Sequence, residues 1–170
     1  HDGYCINRKR VYRIWRQEGL QLPRRKTGKR RYGDSTGTLR RASHPNEVWT
    51  YDFLEARTER GGKLRMLTIL DEYTRECLTI HVARSLSSRQ VIATLDWIFL
   101  LRGAPTYLRS DNGPEFIAYA LQQWLRDHHC HTLYITPGSP WENPFIESFN
   151  GTFRGECLDR WVFADGQEAQ

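Results

Sequence analysis

A chain of 170 residues, 39% hydrophobic and with six tryptophans, is long enough to bury one core and short for several domains. No apolar run approaches the ~20 residues of a membrane-spanning helix, so a membrane partner is not expected. The net charge of +5 is split unevenly: residues 1–47 hold 13 Lys/Arg against 4 Asp/Glu, and residues 48–170 hold 12 against 16. A basic arm on a mildly acidic body points to a polyanion held by the arm.

In chain order, Asn7 is placed to cap a short helix over Arg8–Glu18 that Gly19 ends. Val11, Ile14 and Trp15 form its narrow apolar face. Residues 1–22 read as the end of a truncated helix-turn-helix-like DNA-binding region, and residues 23–47 as a basic linker. The linker carries Arg24, Arg25, Lys26, Lys29, Arg30 and Arg31, six cations suited to DNA phosphates. The sequence begins at His1 and stops in what reads as a starting helix (Asp165–Gln170), so a piece of a longer protein is expected.

From Val48 the pattern turns to strands. V-W-T-Y-D-F-L-E-A, K-L-R-M-L-T-I-L-D-E and R-E-C-L-T-I-H-V-A-R are joined by connections too short for crossovers, which predicts an antiparallel meander. Ser87 or Ser88 caps a helix carrying Val91, Ile92, Leu95, Ile98 and Phe99, closed by Gly103. Thr106–Arg109 is a fourth strand. Pro114 opens the next helix, with Ile117, Leu121, Trp124, Leu125 and His128 along one side. His131–Ile135 is a fifth strand, and Pro144 opens a last helix through Leu158. The order βββαβαβα predicts a five-stranded mixed α/β sheet, strands four and five running parallel to the first.

The four cysteines are scattered without a C-x-x-C pair, which suits the reduced thiols of a cytoplasmic protein. His128, His129, Cys130 and His131 are consecutive. Adjacent side chains point in different directions, so a polar helix end is favoured over a zinc site.

Three carboxylates carry the chemistry. Asp52 interrupts an apolar strand, where an unpaired charge is costly and calls for a partner or a metal. Asp111 stands between a strand end and a helix start, where α/β sheets gather ligand-binding residues. Glu147 lies thirty-five intervening residues later, on a helix whose Phe145, Phe149, Phe153 and Cys157 recur every fourth residue. Glu147, Gly151 and Arg154 then fall on roughly the opposite face. Asp71 is explained by a turn, and Glu55 can face solvent at a strand end. No P-loop or dinucleotide fingerprint is present, so no organic cofactor is expected. An oxygen-only set suits two Mg²⁺ or Mn²⁺ ions.

Y-D-F, S-D-N-G-P-E-F and P-G-S-P-W-E-N-P-F-I-E-S-F-N-G-T-F-R-G-E-C-L together resemble the integrase catalytic core of bacterial insertion-sequence transposases of the OrfB type. The likeness covers about Pro45 to Phe163, with the core taken as 48–163 and 164–170 as the start of a further region. The resemblance implies a ribonuclease-H-like fold and a DDE-type polynucleotidyl transferase that cleaves element ends and joins them to target DNA. Asp52, Asp111 and Glu147 would be catalytic and metal-binding, and Asn112 and Gly113 would form a supporting turn. Asn143 and Arg154 would lie near DNA. A homo-oligomer on DNA, associated with the bacterial nucleoid, is expected. Two rivals stay open: a nuclease of the same fold that hydrolyses without joining, and an inert DNA-binding remnant.

Overall fold

In α1 (Arg8–Gln17), the side chain of Asn7 accepts a hydrogen bond from the Lys9 amide at 2.9 Å. Gly19, at φ +64°, takes the left-handed conformation that ends the helix. The computed structural model describes residues 7–20, 40–111, 118–135 and 142–170. The helix α1 belongs to a first unit, residues 1–38, and everything from residue 39 onward to a second. No residue of α1 is buried, and Val11, Ile14 and Trp15 are all exposed.

The second unit is built on β1 (Val48–Arg57), β2 (Lys63–Asp71) and β3 (Cys77–Ala83), which form the expected antiparallel meander. Gly61 turns the chain between the first two at φ +77°. Between β2 and β3 the buried Asp71 carboxylate accepts the amides of Tyr73 and Thr74, the turn role expected of it. In α2 (Ser88–Arg102), Gln90 reaches back to the amide of Ser87 at 2.9 Å, and Gly103 closes the helix at φ +79°. After β4 (Tyr107–Ser110) come α3 (Tyr119–Asp127), β5 (His131–Tyr134) and α4 (Pro144–Phe153). The sheet runs β3-β2-β1-β4-β5, with β4 parallel to β1 and β5 parallel to β4, as expected.

Strand alternation divides the labour between the two faces. Trp49, Tyr51, Leu67 and Ile69 point toward α2 and α3, where Val91, Leu95, Ile98, Leu121 and Leu125 complete the main core. Each of these fully buried side chains contributes ~1.5–3 kcal/mol of transfer free energy. Leu54, Leu64, Met66 and Val82 form a smaller cluster on the other side, covered by Phe153, Leu158 and Phe163. Thr50 and Asp52 alternate with Trp49, Tyr51 and Phe53, so they share that second face with Leu54. It is the face on which α4 lies.

Four expectations change. The described part of α3 starts at Tyr119, after Ala118 at ψ 131°, and the Pro114 and Ile117 positions lie outside the described residues. The buried residues of α4 are Ile146 and Asn150; of the line expected to cover one face, Phe153 packs half-buried on the smaller cluster, whereas Phe145 and Phe149 do not join it. The Arg75 guanidinium covers the Phe145 ring, 3.2 Å from its centroid, and Phe149 stacks on Phe153. Residues Arg154–Leu158 form a π-helical turn closed by the Asp159 amide on the Arg154 carbonyl at 2.8 Å. Its wider winding brings Leu158 to the apolar cluster that Phe153 also reaches, although the two are five residues apart. Finally, residues 165–170 make turns in which Asp165 accepts the Gln167 and Glu168 amides, instead of starting a helix.

Candidate active site

Asp52 sits mid-strand on the α4 face of β1, directly across the ladder from Thr68. One carboxylate oxygen, Oδ1, accepts the Phe53 amide at 2.7 Å. The other, Oδ2, accepts the side-chain amide of Asn150 at 2.9 Å. Burial pushes the Asp52 carboxyl up to about 6, and the negative charges of Asp111 and Glu147 push the same way. The two hydrogen bonds oppose that rise. Asp111 and Glu147 are thus the charged groups that Asp52 feels.

Each of the three is set by a different element. Asp111 follows the last residue of β4, two residues beyond the Thr50–Arg109 partner pair, just as Asp52 is two residues beyond Thr50. Glu147 lies in the first turn of α4, its amide on the Asn143 carbonyl at 3.3 Å. The helix start is fixed by Thr50, whose hydroxyl donates to the Asn143 side-chain oxygen at 2.5 Å. Ile146, next to Glu147, is 1% exposed and anchors the turn. Asp111 and Glu147 themselves are exposed, so the carboxylates open to solvent on one side.

Among the described residues, no three His, Cys, Asp or Glu side chains are gathered closely enough to hold a metal ion. The donor chemistry nonetheless fits a hard divalent cation, because all three groups offer only carboxylate oxygens. The repulsion that Asp111 and Glu147 exert on an ionised Asp52 is the kind that such a cation relieves.

Residues 42–140 match the family described as Integrase core domain, and residues 128–170 match a second family of the same description. The chain belongs to the integrase core family. It is 36% identical to the 39.2 kDa protein of insertion element IS476 from Xanthomonas euvesicatoria, over 97% of this chain and 47% of that protein. It is 38% identical to the 31.7 kDa protein of insertion element IS407 from Burkholderia multivorans, over 95% of this chain and 58% of the relative. The chain therefore spans about half the length of these relatives. The HTLV-2 integrase catalytic core, solved in complex with magnesium, superposes with a TM-score of 0.57 at 19% identity, covering 68% of this chain and 72% of that one. That likeness establishes the ribonuclease-H-like fold of this integrase core.

Other expected site residues fare differently. Asn143 is buried, and its side-chain oxygen accepts the Thr50 hydroxyl, so it fastens the start of α4. Arg154 is exposed and donates to the Glu55 carbonyl at 3.3 Å; neither Glu156 nor Asp159 is its partner in that bond. Glu156 pairs with Arg160 instead. Glu55 is exposed as anticipated, beside Lys63 at 3.6 Å. Asn112, Gly113 and the six cations from Arg24 to Arg31 lie outside the described residues. The run at the end of α3 is dispersed: His128 turns a ring nitrogen to the Trp124 carbonyl at 2.8 Å, while Cys130 is sealed in the main core.

Sequence reasoning missed the buried polar residues of the integrase core. Asn150 bridges Asp52 and Thr68. Arg109 on β4 pairs with Glu72 and also donates to the carbonyls of Glu142 and Arg40 at 3.2 and 2.5 Å. It ties together the β2–β3 turn, the approach to α4 and the chain entering β1. One signal for Asn150 was available: asparagine is a poor helix-interior residue, so its place three after Glu147 implies a bonded side chain.

Proposed function

We propose that this chain is the catalytic core of an insertion-sequence transposase. It cleaves DNA at element ends and transfers the resulting 3′-hydroxyl strand into target DNA by in-line phosphoryl transfer. The observation that carries the reading is the half-buried Asp52 carboxylate with Asp111 and Glu147 as its charged neighbours, in a chain of the integrase core family. The similarity to insertion-element proteins supports DNA as partner and the bacterial cytoplasm, on the nucleoid, as location. Among the described residues no helix is long and apolar enough to cross a membrane. The HTLV-2 core was solved in dimeric and trimeric forms, and assembly of several copies on DNA is part of this proposal.

Two divalent ions, Mg²⁺ or Mn²⁺, held by Asp52, Asp111 and Glu147, would supply Lewis acidity to the scissile phosphate. In the overall reaction the oxygen of water, or of a DNA 3′-hydroxyl, forms the new P–O bond. The P–O3′ bond breaks, and the displaced strand leaves with a 3′-hydroxyl. The chain's own part is positioning. Asp52 is held by two hydrogen bonds on a central strand, and Glu147 is held by a helix pinned at Asn143 and Asn150. Arg154, two helical turns beyond Glu147 and exposed, would exchange its single carbonyl contact for a DNA phosphate. The basic arm from Arg24 to Arg31 would add sequence-independent affinity.

A strand-transfer assay on oligonucleotides bearing an element end tests the proposal, run with Mg²⁺ or Mn²⁺ and with Asp111→Asn as control. Joined products that vanish in the control are expected. Cleavage without joining would leave a hydrolytic nuclease, and no cleavage by the intact protein would reject the reading.

A further inference from the structure

We propose that Thr68 and Asn150 form a positioning relay that fixes the Asp52 carboxylate and sets α4 against it. The relay rests on the metal-dependent reaction proposed above. An ionised carboxylate accepts hydrogen bonds and donates none, so the part of Asn150 that faces Asp52 at 2.9 Å is its NH₂ group. The amide oxygen is thereby left to Thr68, whose hydroxyl donates to it at 3.0 Å. The hydroxyl has one proton, and the other group within its reach, the Asp52 carbonyl at 3.2 Å, is also an acceptor. With that proton on the nearer of the two, the Asn150 oxygen, Thr68 supports the amide orientation that Asp52 requires.

The consequence for Asp52 is geometric. Its Oδ1 is held by the Phe53 amide and its Oδ2 by Asn150, so rotating the carboxylate breaks both bonds. Thr68 is fully buried and Asn150 is 5% exposed, so water does not replace either partner readily. Asn150 also sits three residues after Glu147 on α4. The same amide that orients Asp52 therefore sets how far along the sheet Glu147 stands. The Thr50–Asn143 bond does so at the helix start, seven residues earlier. Two threonines on adjacent strands thus fix the register of the helix that carries the third carboxylate.

The test uses the intact protein with Thr68→Val, which removes the hydroxyl at nearly constant shape, Thr68→Ser, which keeps it, and Asn150→Leu. In metal-free protein, NMR should find the Asn150 side-chain NH₂ protected from exchange, and Thr68→Val should cut that protection about tenfold. Thr68→Val and Asn150→Leu should weaken Mn²⁺ affinity, read by EPR, about tenfold, and strand transfer by about 10–100-fold, the range for groups that orient metal ligands. Thr68→Ser should stay within about threefold of the parent in all three readouts. If Thr68→Val lowers the melting temperature but leaves Mn²⁺ affinity and turnover intact, the pair is only packing and the relay is overturned. Failure of Thr68→Ser to preserve function overturns it as well. Should Asn150→Leu not fold, the Thr68 pair decides alone. Mn²⁺ affinity unmoved by Asp52→Asn would reject the metal site and the relay together. Affinity lost in Asp52→Asn but retained in Thr68→Val rejects the relay alone.

Discussion

Arg109 and Glu72 form an ion pair at 2.7 Å in which the two side chains are 6% and 2% exposed. The Glu72 carboxyl is raised above its ordinary range because burial outweighs the attraction of Arg109. The pair is therefore costly to break and of little net value as a pair. Arg109→Met should destabilise the chain by ~3–5 kcal/mol, because it takes the hydrogen-bonded ion-pair partner from a buried carboxylate. Arg109→Met combined with Glu72→Leu should recover much of that loss, less the bonds to Arg40 and Glu142. Urea unfolding of the two variants measures the difference, and a double variant no better than the single would contradict it.

The raised Asp52 carboxyl has a signed consequence for stability. Its folded value is about 6, above the ordinary aspartate value of about 4, so the folded state binds this proton more tightly. The associated stability is complete below the unfolded value and is lost as pH rises through about 4 to 6. That difference corresponds to ~2–3 kcal/mol. Asp52→Asn should flatten this part of the stability–pH curve, and Mg²⁺ should offset the loss above pH 6. Thermal melts across pH 4–7, with and without Mg²⁺, would record both effects.

Glu147→Gln should abolish cleavage and strand transfer while leaving the fold intact, since Glu147 is exposed and Ile146 and Asn150 hold the helix. Removing one of three like charges should also shrink the rise in melting temperature caused by Mn²⁺. A purified Glu147→Gln protein that cuts at the parent rate would remove Glu147 from the site.

The basic arm and Arg154 should separate in salt titrations of DNA affinity. Neutralising three cations between Arg24 and Arg31 should flatten the slope of log K against log salt by ~2–3. Arg154→Ala should lower it by ~1, reduce strand transfer, and cost little stability, because among the described residues its hydrogen bond is to one exposed carbonyl, at 3.3 Å. Arg154→Lys should recover only part of the affinity if two guanidinium nitrogens grip one phosphate. Slopes unchanged in the arm variants would leave that run as a solvated linker.

The sheet was legible because its connections are informative. The Asp71 turn and the Ser87 helix start could each be read locally, and short against long connections gave antiparallel against parallel pairing. Asp52 was legible as a charge inside an apolar strand. The face of α4 was not, because counting phenylalanines assumes that aromatic side chains mark the buried side. Here Phe145 is covered by Arg75 from the β2–β3 turn, a contact between residues seventy apart in the chain. The roles of Asn150, Arg109 and Asn143 were hidden for the same reason. Each depends on partners from other elements, and a polar residue met in sequence carries no sign of whether its partner is water or a buried hydroxyl.

The unequal faces of the sheet bear on how the molecule opens. The main core locks α2 and α3 through many fully buried side chains, whereas α4 is held by Ile146, part of Phe153 and two hydroxyl–amide bridges. A helix with so few buried apolar side chains should exchange its amide hydrogens through local opening, below the free energy of global unfolding, which hydrogen exchange would measure. Glu147 therefore rides on a lightly packed helix, while Asp52 lies on a strand between two neighbours of the sheet. The placing of Glu147 relative to Asp52 then depends on how one helix seats on the sheet, through contacts separate from the main core.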